Sequence, residues 1–198
     1  IFDFSNLSFS SRISAMGGDL ITLYDSDVNV AALNPSYLNN DVKNKISLSF
    51  VDYYSDINYF STVFASNVDN FGPLCFGVFG INYGNFVESD EIGNIIGDFN
   101  SGEYMFLIGS SKKLSNNLYI GSNLKLLYSN LYNISSMALS TDLSAFYSLK
   151  NSGFTILFKN IGRTIKNYSN INYKLPFKIQ IGAYNKLKYL PLTFSLVY

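Results

Sequence analysis

From about Ile46 onward, the chain is a series of short runs in which apolar and polar residues alternate. This period of two is typical of a β-strand with one apolar and one polar face. Many runs have the nine to eleven residues that a tilted strand needs to cross a bilayer. We predict strands over residues 45–51, 58–66, 73–83, 103–112, 118–128, 137–147, 153–160, 176–185 and 192–198.

The connections between the predicted strands alternate in length. Barrels of the outer membrane have short turns on the periplasmic side and longer loops on the outer side. The alternation therefore favours an antiparallel array with one loop-rich end, and it places the N-terminal segment at the other end. Short turns are predicted at 67–72, 113–117, 148–152 and 186–191, long polar loops at 84–102, 129–136 and 161–175, and a moderate one at 52–57.

The polar faces of the later strands carry charged and amide side chains. We predict that Lys125, Asp142, Lys178 and Gln180 face the lumen of a barrel while the apolar stripes face lipid. If residue 128 pairs with 137, Lys125 lies opposite Ser140 and diagonal to Asp142, within reach of a cross-strand ion pair. Strands 58–66 and 73–83 are apolar on both faces, which predicts contact with both lipid and an N-terminal plug.

The composition excludes several classes of function. Charged residues make up 14% of the chain and the net charge is +0, so nucleic acid is not an expected partner, since phosphate binding needs a basic surplus. There is no His, and Cys75 is the single cysteine, which removes the commonest general base and a disulfide. No apolar run is long enough for a transmembrane helix. We expect no enzymatic activity and no cofactor.

Residues 1–44 differ from the strand array at 45–198 and predict a compact plug. Asp27 is placed to cap a short helix over residues 28–33, which Asn34-Pro35 ends. Gly17-Gly18 permits a tight turn. The structural residues of this plug are Arg12, Gly17, Gly18, Asp25, Asp27, Asn34 and Pro35.

Two acidic groups raise the question of a metal site. Asp25-x-Asp27-x-Asn29 begins like a calcium loop, but Val30 and Ser36 stand where that loop needs Gly and Glu. A capped turn is the favoured interpretation. The acidic cluster around Asp90 in the longest loop is interpreted as a solvated surface, with a weak cation site as the alternative. We predict no metal centre.

The segments 11–18, 25–27 and 34–38 together resemble the start of mature PorV/PorQ-type outer-membrane proteins of Bacteroidota. The position of Arg12 directly after a Ser is closer to the PorQ type. Later stretches resemble that type as well, at 81–86, 88–93, 121–125, 160–162 and 175–177.

The resemblance implies a FadL-like transmembrane antiparallel β-barrel with an N-terminal plug, of which this chain would hold the plug and about the first nine strands. A single-chain bacterial barrel has an even number of strands, so we expect further strands beyond this segment. The resemblance also implies a role in the type IX secretion system at the outer membrane, together with a PorZ-like surface protein of the attachment complex.

Three functions follow from this sequence, in different classes. The first is a non-enzymatic barrel that anchors a surface partner, with the long loops as contact surface. The second is a FadL-like channel for hydrophobic small molecules, which the polar inward faces disfavour. The third is a soluble β-sandwich binding module that would bury the same apolar faces between two sheets; low charge and alternating loop lengths argue against it.

Overall fold

The computed structural model describes residues 1–69, 72–169 and 171–198, and in them nine strands form one antiparallel sheet in chain order. The prediction of an all-β array is confirmed. The edge strands β1 and β9 are not paired with each other, so the sheet is open. The strands are β1 (Lys45–Asp52), β2 (Asn58–Val68), β3 (Gly72–Ser89), β4 (Ile95–Lys113), β5 (Leu118–Leu131), β6 (Ile134–Ser148), β7 (Ser152–Lys166), β8 (Lys178–Lys186) and β9 (Thr193–Val197).

The predicted alternation of loop lengths is wrong. Most of the predicted loop 84–102 is a hairpin, in which Phe86 pairs with Phe99 and only residues 90–94 form the turn. The predicted loop 129–136 shrinks to residues 132–133. Glycine and asparagine are typical of loops, but here they build a bulge, with φ at +81° in Gly84.

Two other predicted connections are described only in part. The loop predicted at 161–175 begins at 167, because β7 continues to Lys166; its residue 170 lies outside the described residues. The turn predicted at 67–72 includes residues 70–71, which also lie outside them.

The N-terminal segment contains two short helices, α1 (Ser11–Ala15) and α2 (Val28–Leu33). The predicted cap of α2 is confirmed, since the Asp27 side chain accepts a hydrogen bond of 2.9 Å from the backbone nitrogen of Asn29. The helix ends before Asn34-Pro35, as predicted. Three 3₁₀ turns complete the segment, at Asp3–Asn6, Pro35–Tyr37 and Asn40–Val42.

This segment packs on one face of the sheet. Its Phe2, Phe4 and Val28 form one apolar core with Val63 of β2 and Phe79 of β3. The prediction that these two strands contact the N-terminal segment is confirmed; that they also contact lipid stays a prediction. The remaining buried strand residues of the core are Ala65, Cys75, Ile81, Met105, Leu107, Leu127 and Ala138.

The other face of the sheet is apolar and exposed. A row of directly opposed partners crosses five strands, and Leu124 at its end is 52% exposed. In the part of the chain that the structure describes, no second sheet covers this face, so these residues do not form a two-sheet sandwich. The row consists of Ile46, Phe64, Phe76, Ile108 and Leu124.

The turn Pro35–Tyr37 sits directly on Gly121 of β5. A Cβ atom at this glycine would lie 2.5 Å from the backbone nitrogen of Ser36, and it would overlap the Pro35 carbonyl as well. Backbone on both sides leaves nothing flexible to move aside. The missing side chain of Gly121 therefore sets how closely the segment approaches the sheet.

We expect Gly121→Ala to lower the free energy of unfolding by about 1–3 kcal/mol, because the added methyl group overpacks this contact. Urea unfolding followed by circular dichroism measures it. Gly97→Ala is the matched control, since its Cβ would meet only the Glu88 carboxylate, at 3.5 Å. An equal loss of unfolding free energy in the two variants would contradict the close contact between Pro35–Tyr37 and Gly121.

Candidate functional site

Arg12 joins the two helices of the N-terminal segment. Its guanidinium donates hydrogen bonds to the carboxylates of Asp25 and of Asp27, the latter at 2.9 Å. These bonds, first that to Asp25 and then that to Asp27, raise the pKa of Arg12. The two ion pairs hold α1 against the residues that precede α2. Within the described residues, no group of three or more Cys, Asp or Glu is arranged to hold a metal ion.

The pair Gly17-Gly18 ends α1 with backbone that other residues rarely adopt. Their φ angles are +101° and +82°. The backbone nitrogen of Gly18 donates to the carbonyl of Ile13 at 2.9 Å, which closes the helix end. Gly17 and Gly18, for which the sequence predicts a structural role, form the turn that follows α1.

Asn34 fastens the segment to the sheet. Its buried side-chain amide donates to the carbonyl of Ile21 at 3.1 Å and to Thr155 Oγ1 of β7 at 3.0 Å, and its oxygen accepts from the Ser36 hydroxyl at 2.7 Å. The backbone nitrogen of Ser36 donates to Ser144 Oγ of β6 at 2.8 Å. Both donors of the Asn34 amide are therefore satisfied, one of them by the sheet itself.

The predicted ion pair lies at the centre of the covered face. Lys125 lies opposite Ser140, as predicted, and its Nζ is 2.7 Å from Asp142 Oδ1. Both side chains are 2% exposed, so bulk solvent screens the pair only weakly. The prediction of a cross-strand ion pair is confirmed.

Asn160 of β7 completes this pair. Its side-chain oxygen accepts from Lys125 Nζ at 2.8 Å, and its backbone nitrogen donates to Asp142 Oδ1 at 2.9 Å. A buried ion pair is tolerated only when further hydrogen bonds satisfy its remaining donors and acceptors. Asn160 supplies one to each partner.

The position of Asn160 depends on a bulge that sequence reasoning missed. The pairing of β6 with β7 shifts between Thr141 and Leu143, and Asn160 has a φ of +58°. As a result the consecutive residues Lys159 and Asn160 are both buried, whereas strict alternation puts neighbours on opposite faces. The available signal was an Asn, which tolerates positive φ, closely followed by Gly162.

The ion pair, Asn160 and Asn123 form a polar network on the covered face. Hydrogen bonds join this network to the N-terminal segment in two places. The Asn160 amide donates to Asn6 Oδ1 at 3.0 Å, and the Asn123 amide of β5 donates to the carbonyl of Ala32 in α2 at 2.8 Å. The buried charges and the segment that covers them are therefore held by the same hydrogen bonds.

The other two predicted lumen residues lie near the margin of the segment. Gln180 is buried, and its Oε1 has no partner among the described residues. Lys178 pairs with Asp19 of the segment, and both are partly exposed. Lys125, Asp142 and Gln180 are thus buried on the strands; that these residues face a lumen stays a prediction.

A cavity remains between the segment and the sheet. It has a volume of about 50 Å³ and is lined by Lys125, Asp142 and Lys159 on the polar side. Ser8, Ser10 and Asn29 of the segment also line it, together with apolar side chains such as Ile13 and Phe79.

The β3–β4 hairpin forms a separate exposed feature, which we call the acidic hairpin (residues 84–102). Its four charged residues are all acidic: Glu88, Asp90, Glu91 and Asp98. Asp90 Oδ1 accepts from the backbone nitrogens of Ile92 and Asn94, at 3.0 and 2.8 Å, so it shapes the turn.

Aromatic contacts brace the acidic hairpin. Phe86 stacks on Phe99 with 5.2 Å between ring centroids, and Phe99 meets Tyr132 edge-on at 5.1 Å. The hydroxyl of Tyr132 donates to Glu88 at 2.8 Å. In contrast, Ile92 at the tip is 86% exposed. A braced hairpin with uncovered apolar side chains at its tip suits contact with another macromolecule.

Searches against protein-family models, curated proteins and solved structures found no match. Among the described residues, no helix is long and apolar enough to cross a membrane.

We expect Lys125→Met to lower the free energy of unfolding by about 3–5 kcal/mol, because it leaves the Asp142 carboxylate buried without its cation. The double variant Lys125→Met/Asp142→Asn removes both charges and should lose less than the single one. Denaturant unfolding of the two variants measures the difference. Lys112→Met, at an exposed lysine of β4, is the control and should change little. A double variant as unstable as the single one would argue against the pair as the source of the loss.

Proposed function

We propose that the sheet is part of a transmembrane β-barrel of a bacterial outer membrane, with the N-terminal segment as its plug. One observation carries the proposal: the apolar face of the sheet is exposed while the face with the buried ion pair is covered. A soluble protein rarely exposes an apolar surface that extends over a whole sheet. In an outer-membrane barrel, an outward apolar band and a polar interior are the rule.

A sheet that spans a bilayer cannot leave the backbone of its edge strands unpaired. In hydrocarbon, each unpaired backbone group costs several kcal/mol, so a sheet must close to span a bilayer. Strands β1 and β9 are unpaired on their outer sides in the described part of the chain. In the membrane, further strands of the same barrel must therefore cover these two edges.

We further propose that this barrel is a non-enzymatic component of the type IX secretion system that anchors a surface attachment complex. The sequence resemblance to the PorV/PorQ family supports it. The motifs that carry this resemblance have structural roles in the segment: Arg12 joins the helices, Gly17-Gly18 turns the chain, and Asn34 fastens it to the sheet. The acidic hairpin is the proposed contact surface for a PorZ-like protein.

A channel for hydrophobic molecules receives less support. The segment covers the centre of this face, where the cavity of about 50 Å³ has the buried ion pair in its wall. A plug that is hydrogen-bonded to several strands favours a fixed anchor.

A lysine at the centre of the apolar face tests the membrane contact. Leu124→Lys should destabilise the barrel by about 2–4 kcal/mol, because the charge would lie near the middle of the bilayer. The measurement is the fraction of full-length protein in the outer membrane that shows a boiling-dependent shift in gel mobility.

Leu118→Lys is the matched control on the same face, at the start of the same strand, where Leu118 pairs with the exposed Tyr147. It lies about 20 Å along the strand from Leu124, close to the interface, where the cost is roughly 0–1 kcal/mol. Equal effects of the two substitutions, or a wild-type protein outside the outer-membrane fraction, would contradict the proposal.

The tip of the acidic hairpin tests the partner contact. Replacing Ile92, Ile95 and Ile96 by Ser should leave the barrel folded, since these side chains are exposed. Recovery of the PorZ-like protein in co-purification should fall at least about tenfold, which corresponds to roughly 1.4 kcal/mol of binding energy. Removal of residues 86–100 should have the same effect.

The control variant carries Leu114→Ser, Leu149→Ser and Leu190→Ser. These exposed leucines lie in the connections at the opposite end of the sheet. Full recovery of the partner with the altered hairpin, or equal loss with the control, would contradict the assigned contact surface.

A further inference from the structure

The cavity beneath the N-terminal segment contains one charged side chain that the network does not use. Lys159 of β7 is 2% exposed and lines the cavity. Among the described residues, no ion pair or hydrogen bond engages it, in contrast to Lys125. An ammonium group has three donors, and burying it without a partner costs several kcal/mol.

The charges around Lys159 do not balance. The groups that act on it electrostatically are Lys125, Lys178, Asp142 and Asp19. Each carboxylate already pairs with one of these lysines: Asp142 with Lys125, and Asp19 with Lys178. Lys159 therefore adds one positive charge to a cluster that is otherwise neutral. One negative charge in the cavity would restore the balance.

The geometry provides donors for such a charge. The bulge at Lys159 and Asn160 turns both residues to the covered face. Lys125 uses two of its three donors, one on Asp142 and one on Asn160, so its third N–H remains for a bound group. The hydroxyl of Ser5 is engaged by a carbonyl of the segment and does not compete.

The size of the cavity limits what can bind. A water molecule needs about 10–15 Å³ of such space, so about 50 Å³ admits a group of a few heavy atoms. The rest of the lining is partly apolar, with Ile13, Leu33 and Phe79, and partly polar, with Ser8, Ser10 and Asn29. We propose that this cavity binds one small monovalent anion, no larger than acetate, held by Lys159 and the free donor of Lys125.

Anion binding in this cavity is separate from the anchoring role and does not depend on any partner of the acidic hairpin. Its test is equilibrium dialysis of the purified full-length protein against radiolabelled acetate. Sodium sulfate keeps the ionic strength constant, because a divalent anion does not match the single excess charge. We expect saturable binding of one acetate per chain, and chloride should displace it.

Lys159→Met should weaken acetate binding at least about tenfold. It should fold as well as the wild type in acetate-free buffer, because it removes an unpaired buried charge. Lys159→Gln is a second neutral replacement with the same expected result, while Lys159→Arg should keep the binding. The exposed Lys112→Met is the control and should bind as the wild type does. No saturable binding in the wild type, or equal binding in the neutral variants, would overturn the proposal.

Discussion

The buried ion pair between Lys125 and Asp142 is the constraint on which the rest of the structure depends. Two charges at 2.7 Å in a site almost fully removed from bulk solvent are tolerated only if their remaining donors and acceptors are satisfied. Asn160 satisfies both partners, and a bulge in β7 is what brings it there. The same asparagine bonds to Asn6, so the polar centre of the sheet and the N-terminal segment form one unit. This arrangement decides which face of the sheet is covered.

Because the N-terminal segment covers the polar face, the apolar face of the sheet is left exposed. With the polar face occupied, the apolar stripes of the strands point away from the segment, and no second sheet meets them in the part of the chain described. Burial of apolar surface contributes roughly 25 cal/mol per Å², so such a face needs an apolar neighbour. We propose lipid as that neighbour, as on the outer face of an outer-membrane barrel. The acidic hairpin extends past β5 and leaves its tip at Ile92 free for a different kind of contact.

Sequence patterns predict those features that depend on local periodicity. Alternation locates the later strands, the apolar runs 58–66 and 73–83 locate β2 and β3, and the predicted register of β5 with β6 places Lys125 near Asp142. Asp27 before an apolar run identifies the capped helix α2. The sequence does not predict the extended hairpin at 84–102 or the two-residue turn at Tyr132. Strand pairing overrides the loop preference of Gly and Asn at these positions. Lys159 is missed for a related reason: a bulge breaks the period of two, and only three-dimensional pairing shows it. Barrel closure and the family likeness stay predictions.

The orientation of the sheet is tested most directly by spin labels placed singly along β5, from Leu118 to Leu131, in a Cys75→Ser background reconstituted in lipid. The measurement is the collision rate of each label with oxygen, which concentrates in hydrocarbon, and with a water-soluble nickel complex. High oxygen and low nickel contact are expected at Ile120, Leu124 and Leu126, and low contact with both reagents at Leu127, which the segment covers and which is not part of the ion pair. High nickel contact at Ile120, Leu124 and Leu126 would place the apolar face in water and contradict the account.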